Sequence, residues 1–291
     1  MKQAIETREL LTLMCGQIRL RGTHHRCPDV EHNAPLAGNA RGRIGVLFLN
    51  SGFLPRAAYG DSAVYWADSL ARRGYPAFRF DLPGLGDSDG DLPADVLGFV
   101  DRVNSGNYTP YVSDIAEALV ERFGLSGVVL VGHCAGAATA IYAAENNRNV
   151  KGLILLDPYF HLQQPAQKVA QNISPAPTRL AGPQQCAAAL PSNANLPLIR
   201  CWTSLASARF RMLVLTAGAG KMSAADFDYV RHFQRELNNE RLAIKTVEGT
   251  NHSFVSGCGK YAVRELVQGW MDEHFRPSDC ALGETPVCTT V

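Results

Sequence analysis

Between residues 128 and 137 an apolar run of strand type, Val128-Val129-Leu130-Val131, meets Gly132-His133-Cys134-Ala135-Gly136, and an alanine-rich helical run follows. A strand that passes through so tight a turn into a helix leaves little choice of architecture. The turn residue is strained, and side chains two positions either side of it would collide, which accounts for Gly132 and Gly136. The helix that follows points its positive end at Cys134, which favours a thiolate. A cysteine held at such a turn is a candidate nucleophile, whereas most buried cysteines are inert small hydrophobes.

The rest of the chain supplies a sheet for this strand to join. Continuous apolar runs occur at 44–49, 152–156 and 212–216, with further strand patterns at 76–80 and 242–247. Helical patterns fall between them, at 62–73, 113–123, 135–146, 226–237 and 260–275. Uninterrupted apolar strands are buried on both faces, and strands alternating with helices give a mostly parallel sheet. The expected class is therefore α/β, with a mostly parallel central sheet and helices on both faces. Two strand patterns at 10–13 and 17–23 come first and read as an antiparallel hairpin or meander. Residues 158–210 break the alternation, are rich in Gln, Ala, Pro and Asn, and are too long for a simple connection. They are expected to form an insertion, a lid, over the active-site face of a domain spanning 1–276. Residues 277–291 read as a flexible tail.

With 291 residues, 46% of them apolar, the chain has ample material for a core. A net charge of +1 offers nothing to attract a nucleic acid, and no apolar run is long enough to span a membrane. The opening Met1-Lys2-Gln3-Ala4-Ile5-Glu6 lacks the apolar centre of a signal peptide, so a cytoplasmic placement is expected. The eight cysteines are irregularly spaced and none form Cys-x-x-Cys, which argues against a zinc site or a disulfide framework. His24, His25 and Cys27 lie close together, but no second ligand pair stands nearby, so no metal is expected. No cofactor motif is present either. Gly84, Gly86 and Gly90 do not have the spacing of a dinucleotide fingerprint, and Asp87 and Asp89 would repel phosphate.

A nucleophile needs a base, and the base needs a group to orient it. His252 follows the last strand and precedes the last helix, at the carboxyl end of the sheet, where open α/β sheets place their sites. His133 is adjacent to Cys134, so its side chain is expected to point away from the base position, with lining the pocket left open as its other role. The orienting acid is less determined. The loop after 212–216 carries no carboxylate, which leaves Asp157 at the end of the preceding strand, Asp226 further along, or a Cys–His pair with no acid. Asp157 is favoured over Asp226, although a turn cap before Pro158 accounts for it equally well. An oxyanion hole should take one backbone donor from Ala135. The other should come from the loop after the 44–49 strand, at Gly52 or Phe53.

Taken together, Gly132-His133-Cys134-Ala135-Gly136, the loop Arg79-Phe80-Asp81-Leu82-Pro83-Gly84-Leu85-Gly86-Asp87-Ser88, and Asn251-His252-Ser253-Phe254 resemble the α/β-hydrolase superfamily over about residues 40–276. That resemblance implies the α/β-hydrolase fold. The cysteine departs from the usual serine, as in dienelactone hydrolases and some acyl-shuttling enzymes of natural-product pathways. Ser51-Gly52-Phe53 resembles the family's oxyanion loop with Ser51 in place of its histidine. Acylated Cys134 would be a thioester, close in energy to its thioester donors, so that acyl groups move on and off reversibly. The expectation is an acyl-transfer enzyme, a thioesterase, esterase or acyltransferase. Its substrate would be a small-molecule thioester or ester, including carrier-protein and coenzyme A thioesters. A non-catalytic binding protein on the same scaffold is the alternative, motivated by the empty acid position and the missing loop histidine.

Overall fold

The computed structural model describes residues 8–27, 43–162, 190–208, 210–218 and 240–276. Eight strands form one sheet: β1 (Arg8–Cys15), β2 (Ile18–His25), β3 (Ile44–Phe48), β4 (Ala77–Phe80), β5 (Gly127–His133), β6 (Val150–Leu156), β7 (Met212–Ala217) and β8 (Leu242–Val247). Their spatial order is β1-β2-β4-β3-β5-β6-β7-β8. The first two strands make the expected hairpin, and β2 runs antiparallel to β4. Every pairing from β4 through β8 is parallel. β5 sits near the centre and is buried along its whole length, as its unbroken apolar sequence requires.

The helices divide between the two faces. On one, α1 (Ser62–Ala71) and α6 (Gly257–Phe275) press Trp66, Leu70, Val263, Val267 and Met271 onto Val46, Val129, Ile154 and Leu213. On the other, α2 (Val96–Asn104), α3 (Thr109–Phe123), α4 (Ala135–Ala144) and α5 (Leu196–Ser207) cover Leu47, Phe78, Leu130, Leu153 and Val214. Because α4 lies between the sheet and α2, α3 and α5, it is apolar on nearly every side, which explains its alanine-rich composition.

Several expectations need adjusting. The helix expected at 113–123 begins earlier, at Thr109, with Pro110 in its first turn, where a missing N–H does no harm. The sequence reading missed α2, which is capped by the Asp95 carboxylate accepting from the Gly98 N–H at 2.7 Å. Within the stretch read as an insertion, the described part contains α5, whose Trp202 is fully buried. This part is packed onto the body of the domain, against α4, and the remainder of the stretch lies outside the described residues. Outside them also lie the helix expected at 226–237, with Asp226, and the tail 277–291.

The strand order sets the position of the site. The chain proceeds from β3 outward to β4 and then returns to the other side of β3 to make β5. This reversal is a topological switch point at the carboxyl ends of β3 and β5, the place where open α/β sheets bind ligands. From β5 to β8 the strands follow in sequence order, so the loops after β6, β7 and β8 open on the same edge.

Candidate active site

Cys134 stands at the junction of β5 and α4, with φ 54° and ψ −117°. A non-glycine residue held there costs about 1–3 kcal/mol of strain, and such strain persists only where the surroundings enforce it. Here they do. The Cys134 N–H donates to the Leu156 carbonyl of β6 at 3.0 Å, while its own carbonyl accepts from the Ala137 N–H at 3.0 Å. The two glycines are required for close approach. A Cβ on Gly132 would lie 2.3 Å from the Gly136 carbonyl oxygen, and one on Gly136 would lie 2.5 Å from the Asn50 carbonyl oxygen. The second of these contacts brings the start of α4 against the loop after β3.

Asp157 follows β6 directly. Its backbone is also forced, with φ 42°, and its N–H donates to the Leu215 carbonyl at 2.8 Å. In that pose one carboxylate oxygen accepts from the Ala217 N–H at 2.8 Å and the other from Nδ1 of His252 at 3.0 Å. The second nitrogen of His252 is left free of Asp157, and Cys134 is near enough to act on the ring. Asp157 first and Cys134 second raise the imidazole from its ordinary 6.5 to about 10, so His252 carries a proton at neutral pH. Of the three options left open, Asp157 is the carboxylate that reaches His252 among the described residues, and Asp226 lies outside them.

Phe254 anchors the His252 loop. It is fully buried at the end of β5 despite φ 54°, and its N–H closes a turn onto the Asn251 carbonyl at 3.0 Å. Burying a phenyl ring stabilises by about 1.5–3 kcal/mol, enough to offset the strain of its backbone. The Asn251 side chain accepts from the Ser253 N–H and hydroxyl, stiffening the same turn.

As the first residue of α4, Ala135 has an N–H with no helical carbonyl to bond, directed from the positive end of the helix. Gly52 and Phe53 follow β3 beside it. Gly52 has φ 62°, and the Phe53 ring stacks on Phe99 of α2 with centroids 4.1 Å apart. The elements that carry the expected oxyanion donors therefore adjoin at the switch point.

Sequence reasoning passed over the residues that hold this loop in place. Asp81, with no solvent exposure, accepts from the Asn50 side chain at 3.0 Å and from the Arg56 N–H at 2.6 Å, and forms an ion pair with the Arg56 guanidinium. The Asn50 side-chain oxygen accepts from the Leu82 N–H at 2.9 Å. A buried carboxylate is tolerated only when paired and hydrogen-bonded in this way. The one available signal was Asp81 at the mouth of a glycine-rich loop, which is equally a signal for an ordinary turn. His133 was set aside as pointing away. Its ring lies beside that of His252, with centroids 4.9 Å apart, but its polar contacts go to Ser51 and to the His252 backbone.

The pattern shared by proteins of the alpha/beta hydrolase fold matches residues 46–181, a span that includes Cys134 and Asp157. The chain has the α/β-hydrolase fold. Solved structures of that fold superpose on nearly its whole length. Est1E from Butyrivibrio proteoclasticus, solved with ferulic acid bound, gives a TM-score of 0.58 at 17% identity, covering 90% of this chain and 98% of its own. The esterase Pf2001 from Pyrococcus furiosus gives 0.59 at 11% identity, covering 91% and 92%. The alpha/beta hydrolase GrgF from Penicillium sp. sh18 gives 0.57 at 16% identity, covering 92% and 99%. No curated protein matches the chain in sequence. At these identities the likeness speaks for the α/β-hydrolase fold, and the chemistry has to be argued from the residues.

The described residues contain no cluster of three or more His, Cys, Asp or Glu side chains able to hold a metal ion. No helix among them is long and apolar enough to cross a membrane. Among the described residues, Cys15, Cys134, Cys201 and Cys258 are free thiols.

Proposed function

We propose that this α/β-hydrolase is an acyl-transfer enzyme that forms a thioester on Cys134, with His252 as its base and acid and Asp157 orienting the ring. One observation carries the reading: His252 bonds through Nδ1 to Asp157, and Cys134, at the strained turn into α4, is near enough to raise the same ring. That is the relation of nucleophile, base and orienter that covalent catalysis requires.

In this reading the protonated His252 stands beside the Cys134 sulfur in its thiolate form, which attacks the acyl carbon of a thioester or ester. As the carbon–sulfur bond forms, an electron pair moves to the carbonyl oxygen. The Ala135 amide and an amide of Gly52 or Phe53 receive the negative charge, and such a donor is worth about 10²–10³ in rate. Collapse of the adduct breaks the bond to the leaving thiol or alcohol, which takes the proton from His252. Water or a second acceptor then gives its proton to His252 and displaces the acyl group, yielding hydrolysis or transfer respectively. Because acylated Cys134 is itself a thioester, small-molecule thioesters, including those of carrier proteins and coenzyme A, are the substrates that would load it reversibly.

The alternative of a binding protein rested on an acid position left empty after β7 and on the missing loop histidine. Asp157 reaching the imidazole from β6 answers the first of these. The test is intact-protein mass spectrometry after incubation with a panel of acyl-pantetheine thioesters. A mass increase in the wild type that is absent from Cys134→Ala supports the reading. An adduct that survives Cys134→Ala sinks it.

A further inference from the structure

The mechanism above leaves one buried polar group at the site without a task. His133 is 93% shielded from solvent, at 7% exposure, and sits one residue before the nucleophile. Its Nε2 lies 2.6 Å from the backbone carbonyl oxygen of His252. A carbonyl can only accept, so Nε2 carries the hydrogen and donates it. Burial pushes the ring down to about 4, leaving it neutral at ordinary pH. A neutral ring protonated on Nε2 has a lone pair on Nδ1, and the Ser51 hydroxyl, 2.7 Å away, donates to it. The tautomer is thus set by its two partners. Ser51 is itself buried and directly precedes Gly52 and Phe53, the expected oxyanion donors. Phe254 and Tyr59 pack edge-on to the ring, at 5.7 Å and 5.9 Å between centroids, and leave it little room to turn.

We propose that His133 is a positioning residue whose single imidazole ties the oxyanion loop, through Ser51, to the base loop, through the carbonyl of His252, and so fixes both relative to Cys134. The proposal rests on the reading of Cys134 and His252 as nucleophile and base. The physical argument is one of rigidity. The two loops follow β3 and β8, strands separated in the sheet by β5, β6 and β7, so no backbone ladder connects them. His133 comes from β5, between them, and bonds to each. Side-chain hydrogen bonds in a dry setting hold such a geometry more tightly than exposed loops do. A displacement of about 1 Å at a reacting centre lowers rate by about 10²-fold.

The experiment compares Ser51→Ala, Ser51→Thr and His133→Phe with the wild type in two reactions. One is single-turnover acylation by p-nitrophenyl acetate, which needs the oxyanion loop and the base. The other is alkylation of Cys134 by iodoacetamide across a range of pH, which needs only the Cys134–His252 pair. Unfolding midpoints are measured alongside. The tie predicts that Ser51→Ala acylates about 10-fold more slowly, the effect of one lost hydrogen bond. It predicts that the alkylation profile of this variant is that of the wild type, and that Ser51→Thr restores acylation. His133→Phe, which frees both loops, should acylate about 10²-fold more slowly and shift the alkylation profile. Wild-type acylation in Ser51→Ala and His133→Phe overturns the tie. So does a loss that Ser51→Thr does not restore and that follows a lowered unfolding midpoint, since the role would then be structural only. A wild type that is alkylated but never acylated overturns the acyl chemistry instead, and the tie is then decided by the alkylation profile of His133→Phe.

Discussion

Replacing Asp157 by asparagine isolates what its charge does. The shape is kept, and the asparagine oxygen can still accept from the Ala217 N–H, as Asp157 does at 2.8 Å. The amide nitrogen would then face Nδ1 of His252, donor against donor. The imidazole responds by moving its hydrogen to the nitrogen that faces Cys134, where it can no longer accept a proton. Losing a contacting opposite charge lowers a histidine by about 1–3 pKa units, so the ring should fall from about 10 toward its ordinary 6.5. With 52% of its side chain exposed, His252 is screened, and we expect the pair to contribute only about 0.2–1 kcal/mol to folding. Because the folded value is raised, that contribution is fully present below 6.5 and disappears as pH rises through about 10. The wild type should therefore lose its advantage over Asp157→Asn between about pH 7.5 and 10.5 in urea unfolding. Acylation should slow by about 10²–10³-fold, less than the ~10⁴ known where the nucleophile is a hydroxyl, since a thiol needs less activation. NMR titration of the His252 ring reads the central quantity. A ring that titrates near 6.5 in the wild type and does not move in Asp157→Asn would refute the reasoning.

Other perturbations have expected outcomes of their own. Cys134→Ser should accept an acyl group from a thioester but fail to return it to a thiol, so the acyl-enzyme accumulates in mass spectra; rapid return would contradict the thioester argument. Gly136→Ala brings a Cβ to 2.5 Å from the Asn50 carbonyl and should destabilise by about 1–3 kcal/mol in chemical denaturation. A loss below about 0.5 kcal/mol would mean that the approach of α4 to this loop is looser than described. Burial holds His24, His25 and His133 each down to about 4, so the unfolded chain takes up protons first and stability should fall as pH drops from about 6.5 to 4. His24→Phe keeps the stack between Phe78 and Phe123 and should flatten part of that slope in pH-dependent denaturation.

Local chemistry carried a good deal of this. The turn at Cys134 could be read because the glycines it needs, the apolar strand before it and the alanine-rich helix after it are contiguous. His252 could be read for the same reason, as it stands between a strand pattern and a helix pattern. Helix α2 could not: its exposed Val96 and Leu97 blur the periodicity, and its cap at Asp95 lies among other turn-forming residues. The network of Asp81, Asn50 and Arg56 was equally hidden, because each of these residues alone is an ordinary loop residue.

What the sequence by itself determined is the α/β alternation, the strained turn that presents Cys134, and a histidine delivered to the same edge of the sheet. Those features follow from residues a few positions apart, where sterics and hydrophobic period act directly. The partners of His252 were decided only by the tertiary structure. Asp157 is 95 residues away in the chain, and it reaches the ring because β6, β7 and β8 lie side by side and Ala217 holds its other oxygen. His133 was decided the same way, since it faces Ser51 across 82 residues and the His252 carbonyl across 119. Hydrogen bonds of this kind depend on strand order and register, which arise from packing the whole sheet and leave no mark on the residues that make them.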